Sequence, residues 1–382
     1  MKEEHEIIDF FTALRLVCLC LVGVAIFWAL SPKAHAAQPT KALPKPGQTV
    51  GLFDTLLGKK SPSEPQTPEV KTLVPVGHTV GIKLFSDGVL VVGLGSVDTA
   101  AGAENPAKSC GLKMGDIITH IDSREVDTIE EVQSILAETS GREVSLRCLR
   151  GEDEVELTAQ AVRCSADGCY KLGAWIRDSM AGIGTVTFVD PETGLFGALG
   201  HPVSDVDTQR LMPLSSGAIL HSSVTGVQKG QMGQPGQLRG AFDLSTDMGA
   251  LFANTESGIF GTLHEGQSLP GGPAMAVATR DQVHVGKVTV RTNIQGDEVR
   301  DYEAEIVRIY PEDPEDTRNF LIKITDAELL EKTGGIVQGM SGSPILQDGR
   351  LVGAVTHVLV NDPTSGYGIL VENMLKTAQE AA

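Results

Sequence analysis

Ser341 stands in the run Gly339-Met340-Ser341-Gly342-Ser343-Pro344, flanked by glycines and followed by the short apolar stretch Ile345-Leu346-Gln347. A serine hydroxyl becomes a nucleophile when the backbone presents its oxygen, N–H groups face the oxyanion it creates, and a base takes its proton. Glycine admits backbone conformations that larger residues resist, so this run suits the first two tasks. The N–H groups of Gly339 and Ser341 are the expected oxyanion donors. The third task needs a histidine, and the chain has nine. His201 lies in "GLFGALGHPVSD", at the end of an apolar segment and before Pro202, where a strand gives way to a loop and a side chain is offered to a cleft. His221, His264 and His284 lack such a setting, and His357 lies on the strand after Ser341, placed to line the cleft. An imidazole base works best beside an orienting carboxylate. Asp243 and Asp247 near mid-chain, and Asp205 and Asp207 close to His201, are aspartates on hand for that role.

The elements that must hold these side chains are short strands. Of 382 residues 43 are glycine and 4% are aromatic, with few long periodic apolar runs, which points to strands and turns rather than a helical bundle. "PILQ" and "LVGAVTHVLV" form a hairpin across Asp348-Gly349. The formal charge of −18, with no basic cluster in the body of the chain, excludes a nucleic-acid partner as the working hypothesis. No cofactor and no metal are expected: "CSADGC" has the spacing to close a small loop, but further zinc ligands are not nearby. Cys110, Cys148, Cys164 and Cys169 allow three pairings, and the sequence does not choose among them.

Residues 1–36 read as a signal peptide or membrane anchor. Leu16–Leu30 is uninterruptedly apolar but spans only about 22 Å as a helix, short of a bilayer core of about 30 Å. Ala34-His35-Ala36 fits a small-x-small cleavage site, although acidic residues outnumber basic ones ahead of the apolar run. Removal and retention both stay open. Residues 37–72, interrupted by prolines from Pro39 to Pro68, read as an extended tether.

Residues 73–165 alternate short strands with one helix, "IEEVQSILAETSG", which opens on a Thr128/Glu131 capping box, and Asp87-Gly88 reads as a turn between two strands. Gly111-Leu112-Lys113-Met114-Gly115-Asp116-Ile117-Ile118 resembles a bacterial PDZ domain. Such domains bind an extended peptide beside one strand and the helix. The resemblance implies Thr79, Val80, Gly81 and Ile82 as carboxylate-binding loop and strand edge. Ile129, Val132 and Leu136 would form the helix side of the groove, although a core stripe explains them equally well.

With "GALGHPVSDVDT" and "FLIKITDAELLEKTGGIVQGMSGSPILQDGRLVGAVTHV", the chain resembles the stage IV sporulation protein B family of serine peptidases over nearly its whole length. The resemblance implies a mainly β fold, a chymotrypsin-like double β-barrel peptidase domain over 170–382 preceded by an α+β PDZ domain. It implies Ser341 as nucleophile, His201 as base and Asp326 as acid, later in the chain than chymotrypsin-like order would place it, although Asp326 before "AELLEK" suits a helix N-cap equally well. Thr356, His357 and Val358 would wall the substrate pocket, and Val358, with no acidic floor nearby, favours a small or β-branched apolar residue before the cut. The family further implies secretion into the space between the forespore and mother-cell membranes and self-processing in the N-terminal region. Its target is a membrane-bound regulator of an intramembrane protease that activates a late mother-cell sigma factor, with the PDZ module holding the enzyme in trans to itself or to its target. Proteases of the Htr class share the serine and PDZ parts in reverse order. A non-catalytic PDZ adaptor is the other alternative, against which the intact His201, Asp326 and Ser341 argue.

Overall fold

A computed structural model describes residues 71–311 and 317–382. The expectations for the leader, and for all of the tether but its end, fall outside the described residues. Among the described residues no helix is long and apolar enough to cross a membrane.

Six strands close the first barrel: β1 (Thr79–Leu94), β2 (Ala174–Val189), β3 (Leu195–Ala198), β4 (Ser216–Gln228), β5 (Gln237–Thr255) and β6 (Gly258–Leu263). Neighbours run β1-β2-β3-β6-β5-β4, all antiparallel, and β4 returns to β1 from Ser216↔Phe85 to His221↔Val80. The second barrel holds β7 (Gly286–Asn293), β8 (Val299–Ile309), β9 (Phe320–Ile324), β10 (Pro344–Gln347), β11 (Arg350–Leu359) and β12 (Asp362–Leu370). Its ring order, β7-β8-β9-β12-β11-β10, repeats that of the first barrel. Closure leaves no free strand edge around either ring, and the inward residues form one core each. Val80, Ile82, Leu84, Val186, Phe196 and Ile259 fill the first. Val290, Ala304, Phe320, Ile322, Ile345 and Val355 fill the second. Phe188 and Phe260 from one barrel meet Leu351, Ala354 and Ile369 from the other, with Met374 of the terminal helix Val371–Ala381 packed on the same seam. This is the double β-barrel expected from the sequence.

The PDZ-like lobe comes ahead of most of the peptidase domain along the chain, as expected, but the first barrel strand, Thr79–Leu94, lies before it, so the lobe is inserted between the first two strands of barrel one. β1 and β2 pair from Thr79↔Thr185 out to Leu94↔Ala174, and their outer halves join Ile117–Ile121, Glu143–Arg150 and Asp153–Gln160 in the lobe's sheet. Helix α1 (Ile129–Thr139) packs on it through Val132, Ile135 and Leu136. The expected capping box is present: Glu131 N–H donates to Thr128 Oγ1 at 3.2 Å, and Thr128 N–H donates to Glu131 Oε2 at 3.0 Å. Asp87-Gly88 is not a hairpin turn. It lies in a bulge of a continuous β1, with Gly88 at φ +81° and its N–H donated to Asp127 Oδ1 at 2.9 Å.

Candidate active site

β3 ends at Ala198, and the next three residues, Leu199, Gly200 and His201, cross to the second barrel. Gly200 (φ +70°) fits there because a Cβ would lie 2.9 Å from side-chain carbons of Thr356 and Ile369. On the opposite side, the turn before β10 carries Ser341. At Gly342 (φ +94°) a Cβ would lie 2.0 Å from the Thr185 carbonyl oxygen and 2.5 Å from the Leu199 nitrogen, so only glycine permits the two barrels to approach so closely. Thr185, fully buried on β2, fastens the Ser341 loop: its N–H donates to Ser341 O at 3.0 Å, and its hydroxyl donates to Gly339 O at 2.7 Å. Buried Ser343 donates its hydroxyl to Thr292 Oγ1 at 3.0 Å, tying the turn to β7. Among the described residues no hydrogen bond occupies the N–H of Gly339 or of Ser341, which leaves both for an oxyanion.

The segment that ends in His201 and the turn that carries Ser341 therefore meet at the seam between the barrels. The imidazole Nδ1 lies 2.8 Å from the carbonyl of Pro202. A carbonyl can only accept, so Nδ1 carries the proton and Nε2 keeps its lone pair, the tautomer a general base requires. Burial lowers the pKa of His201 from the ordinary imidazole value, with the Pro202 bond acting in the opposite direction. The His357 ring lies 4.9 Å away, centroid to centroid. Its pKa is lowered too, by burial first and then by His201 and Arg318, although its open face to solvent limits the effect. Ser341 Oγ donates to the carbonyl of Thr356 at 2.7 Å. Among the described residues no hydrogen bond joins it to His201, so the hydroxyl proton points to Thr356 rather than to the imidazole.

Asp326 is not brought to His201. Its carboxylate caps helix α2 (Ala327–Thr333), accepting from Leu329 N–H at 2.9 Å and from Glu303 N–H at 3.3 Å. Asp205 is buried against Arg177, while Asp243 is exposed and bonds Ser245. Asn254, at the end of β5, is a residue the sequence reading missed. It accepts from Val203 N–H at 2.8 Å and donates to Val203 O and Met212 O at 2.8 and 2.9 Å, clamping the segment that follows His201. Nothing in the local sequence marks it, because its partners lie 51 and 42 residues away along the chain.

Of the pocket residues, Thr356 donates its hydroxyl to Tyr367 O at 3.2 Å, His357 faces His201, and half-buried Val358 packs on the second core opposite Gly366. A Cβ at Gly366 would lie 2.6 Å from both Ile336 Cδ1 and the His357 carbonyl oxygen, and Ile336 is itself only 2% exposed, so β12 packs closely behind Val358. The groove residues are corrected. Val80, Gly81 and Ile82 are paired on both sides, with β2 and β4, while Thr79 pairs with β2 and donates its N–H to Asn293 Oδ1 at 2.7 Å. They are barrel wall, because a strand buried on both faces reads alike in either module. Val132 and Leu136 are lobe core, each 4% exposed, and Ile129 donates its N–H to Asp178 Oδ2 at 3.0 Å. Among the described residues, the unpaired edge beside α1 belongs to Ala174–Arg177, where Trp175 is 68% exposed and lies against Gly93 and Gly95. A depression of about 530 Å³ on the lobe, lined by Glu104, Cys110 and Glu143 among others, shares no residue with the cleft. All four described cysteines are unpaired, and no group of three metal-binding side chains occurs among the described residues.

Known proteins bear on this arrangement. A family model described as SpoIVB peptidase S55 matches residues 168–375, more than half of the chain, and a PDZ domain model matches residues 97–150. No curated protein matches the chain. Among solved structures, the PDZ domain of an SdrC-like protein from Listeria monocytogenes is 23% identical, over 24% of this chain and 87% of that one, with a TM-score of 0.20. The active form of the Rv3671c protease from M. tuberculosis is 16% identical over 54% of this chain and 75% of that one, with a TM-score of 0.30. Its inactive form is 13% identical over 53% and 85%, with a TM-score of 0.28.

Proposed function

Because the chain belongs to the SpoIVB peptidase S55 family, and is a PDZ-containing serine peptidase of the sporulation type, we propose that it is a secreted regulatory endopeptidase acting through Ser341 and His201. In this reading His201 Nε2 takes the proton of Ser341 Oγ as that oxygen adds to the scissile carbonyl. The N–H groups of Gly339 and Ser341 receive the oxyanion, and His201 returns the proton to the leaving amine. Water, activated by the same imidazole, then hydrolyses the acyl-enzyme. The observation that carries the reading is the convergence of His201 and the Ser341 turn across the barrel seam, with Nδ1 tied to Pro202 and two unclaimed N–H groups at the nucleophile. The Pro202 carbonyl supplies the tautomer control for which a carboxylate was expected.

The biological role proposed is self-processing in the 37–72 tether and cleavage of a membrane-bound regulator in the space between forespore and mother-cell membranes, which triggers activation of a late mother-cell sigma factor. The inserted lobe would hold the enzyme in trans to itself or to its target by adding an extended peptide to the edge of Ala174–Arg177. The filled space behind Val358 and Ile336 supports a small residue before the cut.

The test compares purified chain lacking residues 1–36 with its Ser341→Ala variant, mapping new N-termini by mass spectrometry. Cuts within 37–72 that vanish in the variant are expected. Cuts that persist in Ser341→Ala would exclude Ser341 as the nucleophile.

A further inference from the structure

The segment that follows His201 is fastened at two places. Between β3 and β4 the chain doubles back: Ser204 pairs with Leu211, Met212 N–H donates to Val203 O at 3.0 Å, and Asp205 N–H donates to Arg210 O at 2.8 Å. Asn254 holds the root of this excursion. Its tip is organised by Asp205, 1% exposed, whose Oδ1 accepts from the N–H groups of Asp207 and Thr208 at 3.1 and 2.8 Å and from the Thr208 hydroxyl at 3.0 Å. The other carboxylate oxygen of Asp205 takes the guanidinium of Arg177, whose second arm reaches Asp207 Oδ2 at 2.8 Å. Arg177 comes from the outer half of β2, opposite Leu90, where the strand already belongs to the inserted lobe. A second contact lies beside it: a Cβ on Gly115 of the lobe would sit 2.7 Å from Arg210 Nε, at the same tip.

Exposed ion pairs hold little together, but this one is not exposed on the acidic side. Removing the guanidinium would leave a buried carboxylate without a countercharge, and the tip would have to open to hydrate it. The planar fork of arginine also spans Asp205 and Asp207 at once, which a single ammonium does not do. We propose that Arg177 is a positioning residue for His201: by neutralising Asp205 it keeps closed the segment whose first residue carries the imidazole, so the inserted lobe sets the placement of the general base. The proposal rests on the reading of His201 as the base for Ser341.

The test uses the full chain and an active-site fluorophosphonate probe, measuring the maximal labelling rate kinact and the probe affinity KI separately. In Arg177→Met, kinact is expected to fall on the order of 10- to 100-fold, the size of a misplaced catalytic group, with KI unchanged and circular dichroism intact. Arg177→Lys should recover part of the loss, because its ammonium reaches one carboxylate. Arg124→Met, which removes an exposed pair with Glu138 on the lobe, should label like the parent. A parent chain that does not label at all overturns the peptidase reading and this proposal with it. A parent that labels, beside an Arg177→Met variant labelling equally fast, overturns the proposal alone, as does a loss that Arg177→Lys leaves wholly unrecovered. Should Arg177→Met fail to fold, Arg177→Lys decides: a kinact below the parent's at unchanged KI supports the proposal, and equality overturns it.

Discussion

Replacing Asp326 by asparagine and by alanine separates its two available roles. As an N-cap it contributes one good hydrogen bond, from Leu329 N–H at 2.9 Å, and one long contact, from Glu303 N–H at 3.3 Å. Asparagine caps helices about as well as aspartate, whereas alanine in place of a capping residue costs about 1 kcal/mol, up to about 2. The expected outcome is therefore asymmetric. Asp326→Asn keeps both thermal midpoint and fluorophosphonate labelling, because its amide oxygen still accepts from Leu329. Asp326→Ala loses stability by about 1 kcal/mol, a few degrees in midpoint, while the folded fraction labels at the parent's rate. A carboxylate that sets the tautomer of the base behaves differently: its conversion to asparagine lowers turnover by about 10,000-fold with the fold intact. A fall of that size in Asp326→Asn would refute the capping argument and return Asp326 to the catalytic machinery.

The pH dependence should carry the same signature. A base acts only when neutral, so activity is lost as pH falls through its pKa; burial lowers that of His201 from 6.5, and labelling should hold at pH 6.5 and decline below it. A midpoint above 7 would instead indicate a carboxylate supporting the imidazolium. Thr185→Val keeps the shape of the side chain but leaves the Gly339 carbonyl without its 2.7 Å donor. An unpaired buried acceptor costs about 1–3 kcal/mol, and labelling of Ser341 should slow about tenfold while the overall fold, read by circular dichroism, persists.

The parts legible in the sequence were those whose chemistry is local. A glycine-bracketed serine before a strand, and a histidine where an apolar strand meets proline, are legible as local structure because glycine, strand and proline fix the backbone within six residues. The capping box at Thr128 and Glu131 was legible for the same reason. What was hidden depends on partners far away in sequence. Thr79–Ile82 is apolar on both faces, a pattern that says a strand is covered but not which sheet covers it, so barrel wall was read as peptide groove. The insertion was hidden with it, since a lobe entered and left through two long strands looks, along the chain, like a domain that simply comes first. Asp326 illustrates a different ambiguity: a carboxylate ahead of a helix satisfies the requirements of a cap and of a catalytic acid, and only the absence of a bond to His201 distinguishes them.

Strand β2 gives the arrangement its physical logic. At one point it carries Arg177, which neutralises the tip of the His201 segment; further along it carries Thr185, which holds the Ser341 turn by both its N–H and its hydroxyl. The two supports lie about 26 Å apart along the strand, at about 3.3 Å per residue. His201 and Ser341 come from different barrels, so nothing in either barrel alone fixes the distance between them. A single extended strand, paired with β1 along its length, registers both loops to one element. Proton transfer is steeply sensitive to that distance, and such a common support makes the pairing of His201 and Ser341 insensitive to small slips of one barrel on the other. The same strand exposes its outer edge beside α1, so in the proposed mechanism the common support of His201 and Ser341 is also the element at which an added peptide would pull.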